Sequence, residues 1–202
     1  MQPIAASTFG ELLGNVAAKT PAPGGGAVAS AAGALASSLA NMVVAYSLGK
    51  KNFAEHQPTL ERAAKMLAKA GEILLQLADE DAAAYALVNE LSKLPEDDAR
   101  RTREYPDAVE AAVNVPRAVV GTCCDVLRLL EQLAPITNKH LRSDLAIAAI
   151  LAEAAAKSGW WNVAVNLTLI EDETARQVRE EMMGMLEEAA ARRVRIERAC
   201  EA

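Results

Sequence analysis

Asp81 stands on what is otherwise the apolar stripe of a long helical segment. Leu60, Ala64, Leu67, Gly71, Leu74, Ala78, Tyr85 and Val88 recur at steps of three, four or seven, and Asp81 fills the step between Ala78 and Tyr85. A carboxylate withdrawn from water needs a hydrogen bond, a cation or a proton. Two readings follow from the stripe alone. Asp81 is a structural cap or ion pair toward a neighbouring helix, or it is a base or electrostatic stabiliser, its pKa set by burial, facing a cationic substrate.

Four further groups carry possible chemistry. Gly24-Gly25-Gly26 runs straight into a helical segment, where free amides favour anions and glycine lets the chain bend back closely; a tight turn into a buried helix explains it equally well. Lys50 and Lys51 follow Gly49 at a helix end, where the dipole welcomes cations. They are solvated caps, or one of them binds a substrate carboxylate or polarises an attacked carbon. Asp144 follows Ser143 at a helix start, a position that favours a carboxylate. Asn162 and Asn166, four apart, share a face and can project together into a cleft. Asp144 and Asn162 are eighteen residues apart, ~27 Å along a straight helix, too far to meet at one reacting group. Either the helix breaks near Gly159, or the two serve different sites, or a second subunit unites them.

Helices must position all of these. Of the 202 residues 51% are hydrophobic, mostly Ala, Leu and Val, and aromatics are 3%; small, strong helix formers favour close helix packing over a β-sandwich. Thr8-Phe9-Gly10-Glu11 fits a capping box and predicts a first helix from about Phe9 to Ala18. A Pro- and Gly-rich loop, 19–26, leads to a helix from Ala27 to about Leu48. The small residues Ala29, Ser30, Gly33, Ala36, Ser37 and Ala40 place that helix at the bundle centre. A third helix spans about 58–93. The charged stretch Leu94–Pro106 reads as an exposed connection. A helix over 107–133, kinked at Pro116, comes next, then one from Asp144 toward Leu169 with a possible break at Ser158-Gly159, and a last helix over about 173–199. The expected fold is all-α: one domain, residues 1–202, forming a single bundle of about five or six helices.

The net charge of −6 and the absence of a basic tract argue against nucleic acid. Met1-Gln2-Pro3-Ile4 lacks the pattern of a signal peptide, and the apolar stretch 27–44 is mostly Ala, Gly and Ser with Asn41 inside it, which reads as a buried helix and not a membrane span. Cys123, Cys124 and Cys200 make neither a disulfide framework nor a zinc spacing, and with only His56 and His140 no metal site is expected. These features imply a cytoplasmic protein with reduced thiols.

Five spaced segments carry a family likeness. Thr20-Pro21-Ala22-Pro23-Gly24-Gly25-Gly26, Gly49-Lys50-Lys51-Asn52-Phe53, Asp79-Glu80-Asp81-Ala82, Ser143-Asp144-Leu145-Ala146 and Asn162-Val163-Ala164-Val165-Asn166-Leu167 occur in that order. Together they resemble the formiminotetrahydrofolate cyclodeaminase/methenyltetrahydrofolate cyclohydrolase family over nearly the whole chain. The resemblance implies a helical bundle that forms a homodimer through its helices, with a folate cleft lined by these motifs. By the resemblance Asp81, Asp144 and Lys50 are catalytic, and Gly24, Gly25, Gly26, Lys51, Asn138, Ser143, Asn162 and Asn166 bind substrate. It also implies no cofactor beyond the tetrahydrofolate substrate. The reaction implied first is hydrolysis of 5,10-methenyltetrahydrofolate to 10-formyltetrahydrofolate, mildly favoured by a chain without a formiminotransferase domain. Ammonia elimination from 5-formiminotetrahydrofolate is the close alternative, and a non-catalytic folate-binding bundle the distant one. The chain departs from the family pattern at Ala45-Tyr46-Ser47, His140 and Arg142. His140 is a solvent-facing loop residue or a new acid/base.

Overall fold

The computed structural model describes residues 3–201; the Met1-Gln2 start of the signal-peptide reading lies outside the described residues. Six α-helices follow one another: α1 (Phe9–Ala17), α2 (Gly25–Ala45), α3 (Gln57–Leu91), α4 (Ala99–Leu133), α5 (Arg142–Asn166) and α6 (Asp172–Glu201). Short 3₁₀ turns cover Ile4–Ala6, Lys51–His56, Lys139–Leu141 and Leu167–Leu169, and there is no strand among the described residues.

The capping box forms as the sequence predicts: the Thr8 side chain accepts from the Glu11 amide while the Glu11 carboxylate accepts from the Thr8 amide. Helix α2 lies at the centre, packed against α3, α4 and α5. Its small residues allow this. A Cβ on Gly33 would stand 2.8 Å from Cys123 Sγ and 3.1 Å from a Leu74 methyl, so α2, α3 and α4 meet there at near backbone distance. Leu60, Leu67, Leu74, Leu127, Leu130 and Leu145 are fully buried around it. On α6, Val178, Met182 and Ala189 face this core, while Arg192 and Arg195 pair with Glu131 of α4. Those partly exposed pairs fix the register of α6 more than they stabilise it.

Helix bounds differ from the sequence reading at three places. Helix α4 begins at Ala99, so most of the expected connection is helical. The Asp98 side chain caps it by accepting from the Arg100 and Arg101 amides, and Arg100 pairs with Glu104 one turn on and with Glu90 of α3. Pro106 is exposed and, lacking an amide hydrogen, donates nothing to the Thr102 carbonyl one turn back. Helix α5 runs unbroken through Ser158-Gly159. Gly159 is there for packing: a Cβ would lie 3.1 Å from a Val120 methyl and 3.5 Å from the Pro116 carbonyl. Helix α2 starts at Gly25 and not at Ala27, which makes the glycines its first turn, with Gly24 as cap.

The α3 stripe also changes character along its length. Leu60, Leu67, Leu74 and Ala78 are buried, but Tyr85 is 51% exposed, and Asp81 marks the level at which this face leaves the core.

Candidate active site

Beyond Ala78 the face of α3 opens into a cleft of about 530 Å³ between the start of α2, the end of α3, the start of α4 and the end of α5. Gly24–Gly26, Asp81, Tyr85, Tyr105, Asn162 and Asn166 are among its walls. Volumes of this order suit a small organic ligand.

The three acidic residues of 79–81 divide their roles by helical phase. Asp79 Oδ1 accepts the Ile4 amide at 3.0 Å and ties the N-terminal turn to α3. Glu80 faces solvent. Asp81 turns toward the first turn of α2 and lies so close that a Cβ on Gly26 would be 2.0 Å from Oδ2 and 2.3 Å from Cγ. With the carboxyl where it stands only glycine fits under it, and any Cβ there would force the carboxyl to move. No hydrogen bond or ion pair reaches this carboxyl among the described residues. Burial raises its pKa above the ordinary aspartate range. The result is a half-buried carboxyl without a partner, beside an open cavity.

The end of α5 supplies the opposite wall. Asn166 Nδ2 donates to the Ala112 carbonyl at 2.7 Å and fastens α5 to α4. Asn162 Nδ2 donates back to the Ser158 carbonyl at 3.0 Å, leaving Oδ1 facing Gly25, where a Cβ would lie 3.3 Å away. An amide acceptor, a bare glycine backbone and a carboxyl therefore converge on one space. Tyr105 stands at the rim with the Arg101 guanidinium 5.3 Å from its ring centre.

The remaining residues implied by resemblance lie at the other end of the bundle. Lys50 and Lys51 are exposed just past α2. Ser143 and Asp144 are in the first turn of α5, and Asn138 caps the turn before it by accepting the His140 amide. Loop 138–142 is held to the end of α2 by the Asn138 amide, which donates to the buried Ser47 hydroxyl at 2.9 Å. That contact gives Ser47 a structural purpose at a position where the chain departs from the family pattern. His140 is exposed to solvent. With α2 ~30 Å long and α5 unbroken, the two groups stand about that far apart within one chain.

Tyr85, Asn89, Ser92, Tyr105 and Leu169 are cleft walls that the sequence alone does not single out. Tyr85 shares the spacing of the core stripe, and Tyr105 lies in a charged stretch that resembles a connection; the cap at Asp98 is the signal that this stretch is helical. Among the described residues no cluster of three or more His, Cys, Asp or Glu side chains is placed to hold a metal. Burial drives the Cys123 and Cys124 thiols up, to about 12 and about 11, as expected of packing residues.

Comparison with known proteins points to one family. The family described as Formiminotransferase-cyclodeaminase matches residues 8–184. A formimidoyltransferase-cyclodeaminase of Sus scrofa is 33% identical over 179 residues, 86% of this chain but 33% of that protein's own length. A methenyltetrahydrofolate cyclohydrolase of Methylorubrum extorquens is 30% identical over 194 residues, 94% of this chain and 93% of that one. A crystal structure of formiminotetrahydrofolate cyclodeaminase from Thermotoga maritima superimposes with a TM-score of 0.86 at 34% identity, covering 98% of each chain.

Proposed function

The chain belongs to the formiminotransferase-cyclodeaminase family, and from that membership together with the Asp81 cleft we propose that it hydrolyses 5,10-methenyltetrahydrofolate to 10-formyltetrahydrofolate. The observation that carries the reading is the half-buried, unpartnered Asp81 carboxyl opening onto a cavity of small-molecule size. Membership brings the folate; the carboxyl brings the chemistry.

The substrate's one-carbon bridge is part of an amidinium cation shared by two ring nitrogens. Water adds to the bridging carbon, passes a proton to Asp81, and leaves a neutral tetrahedral carbon. The same proton then goes to the departing nitrogen as its C–N bond breaks. The hydroxyl proton lost on forming the formyl group is released to solvent, which balances the reaction. A carboxylate beside a cation lowers the ground state as well as the transition state, so attraction alone does not accelerate the step. Proton acceptance does, and a carboxyl whose pKa is raised by burial is the better base. Asn162 and the Gly24–Gly26 backbone orient the heterocycle, and Tyr85 and Tyr105 offer ring faces to its aromatic portions.

A second reading is ammonia elimination from 5-formiminotetrahydrofolate with closure to the methenyl ring. It passes through a tetrahedral carbon between the same two nitrogens, and the near-complete structural overlap with a cyclodeaminase favours it. We place the protein in the cytosol, as a homodimer, acting without a further cofactor. Purified protein assayed with both folates, following methenyl absorbance and ammonia release, separates the two reactions. Folate binding in calorimetry without turnover of either substrate overturns both.

A further inference from the structure

The cleft extends along α3 in one direction. Ala78, fully buried, closes it below Asp81, and its α3 wall continues through Tyr85 and Val88 to Ser92, which caps the helix. A second cavity of about 550 Å³ shares Tyr85 and Asn89 with it and reaches Lys93. Asp81 and Ser92 are eleven residues apart, ~16 Å along the axis.

Two cations stand at this outer end. Lys93 is exposed, and its ammonium has no ion-pair partner within the described residues. Arg101, half-buried, comes from α4. Its Nη1 donates to the Leu94 carbonyl at 2.6 Å, and its guanidinium lies over the ring of Tyr105, itself a cleft wall. Leu94 is two residues past Ser92, at most ~7 Å of chain, so Arg101 borders the same exit. Neither of its contacts is with a carboxylate, and Nε and Nη2 have no partner within the described residues. The neighbouring acids are engaged elsewhere or form no pair with it: Arg100 holds Glu90 and Glu104, Asp98 caps α4, and Glu96 and Asp97 are exposed on the turn. A guanidinium keeps its charge at any working pH, so Arg101 is a standing cation without a counter-ion. The chain's net charge of −6 repels anions elsewhere, and two unpaired cations at a cleft mouth select where one docks.

We propose that Lys93 and Arg101 form an anion subsite at the outer end of the cleft, which receives the two carboxylates of the substrate's glutamyl tail. The proposal rests on the folate reading above and adds the direction in which the molecule lies. From the one-carbon bridge through the aminobenzoyl ring to the far carboxylate, an extended tail of ordinary bond lengths spans roughly 12 Å. A reacting carbon ~3 Å from the Asp81 carboxyl then puts that carboxylate ~15 Å from it, level with Ser92. The aminobenzoyl ring passes Tyr85 and Tyr105 on the way. Lys50 and Lys51, which the sequence also offers for a carboxylate, are at the opposite end of the bundle in this chain. Arg101 presents a planar fork suited to a carboxylate, and Lys93 a mobile point charge for the second one.

Calorimetry tests it with tetrahydrofolate, which carries the tail but no bridge to hydrolyse, beside its analogue cut back to the neutral benzamide. Wild type should bind tetrahydrofolate about tenfold more tightly than the analogue at low salt, and the preference should shrink as salt is raised. Lys93→Gln and Arg101→Gln should each lower the preference severalfold and together bring it near one, with affinity for the analogue unchanged. In turnover the same variants should raise KM and leave kcat alone, as when a contact made equally in ground and transition state is lost. The Lys93 side chain makes no hydrogen bond or ion pair, so its variant reads the charge even where Arg101→Gln disturbs the turn at Leu94. Equal affinity for the two compounds in wild type, or a preference that survives the double substitution, overturns the subsite. So does an equal loss on both compounds in Arg101→Gln, the mark of a residue that only holds Tyr105. A tail preference that falls in the variants while neither folate reacts keeps the subsite and removes only the reaction; turnover without that preference does the reverse.

Discussion

Replacing Gly26 with Ala sets the site against the fold in one substitution. The new methyl would lie 2.0 Å from Asp81 Oδ2, 2.3 Å from Cγ and 2.6 Å from Oδ1, whereas ordinary contact begins at 3.4 Å. The carboxyl must therefore retreat by about 1.4 Å, the difference between 3.4 and 2.0. It can do so cheaply, being the end of a flexible side chain beside an open cleft, at ~0.5–1.5 kcal/mol for a displaced rotamer. Ala in place of Gly in a helical turn returns up to ~1 kcal/mol. The two nearly cancel, so the melting temperature should move by only a few degrees. Turnover should not survive so well, since a ~1 Å misplacement of a reacting group can cost ~10²-fold. Neighbouring glycines grade the test. Gly25→Ala meets Asn162 Oδ1 at 3.3 Å and should be mildly impaired, and Gly24→Ala meets only the Pro21 carbonyl at 3.9 Å and should be close to wild type. Steady-state kcat with the folate that the enzyme accepts, measured beside thermal melts, reads both quantities. Wild-type kcat in Gly26→Ala, with an unchanged melt, refutes the role given to the Asp81 carboxyl.

Asp81→Asn should lower turnover by ~10²–10⁴-fold while leaving stability at neutral pH equal to wild type or higher. The sign follows from burial: a carboxyl whose folded pKa is raised costs stability once ionised, so the cost is absent below the ordinary carboxylate range and fully present above the raised value. The melting-temperature advantage of Asp81→Asn should accordingly vanish as pH is lowered, and an advantage that persists in acid contradicts the assignment. Turnover by the wild type should decline on the acid side as Asp81 takes up its proton, with a midpoint above that of an ordinary aspartate. Gly33→Ala should destabilise by ~1–3 kcal/mol through overpacking against Cys123 and Leu74 without a matching change in kcat. Thiol titration of the native protein at pH 8 should find Cys123 and Cys124 unreactive until the chain is denatured, their thiols being held near 12 and near 11.

The bundle was legible because its helices are written in periodicity and punctuation. Thr8 and Glu11 announce α1, the small residues of 29–40 announce a central helix, and the Leu60–Ala78 stripe turns to the core as read. The misread places are those where a local signal has two meanings. Charged residues at 96–104 look like a loop, yet Asp98 is a cap and Arg100-Glu104 a one-turn pair. Ser158-Gly159 looks like a break, yet that glycine lets α4 approach. In the first the signals are local but read two ways; in the second the deciding partner lies on another helix and is invisible along the chain.

The site divides on similar lines, and physics says why. Periodicity gives the face on which a residue lies and, through the 1.5 Å rise per residue, its height along a helix; it does not give which helix end meets which. Asp81 could be singled out because a charge on an apolar face is costly wherever that face points. Its environment could not be foreseen, because the α2 amide end arrives beside it only through the packing of Gly26. The ~27 Å between Asp144 and Asn162 was computable from the sequence, and the unbroken α5 turns it into a constraint that one chain cannot relax.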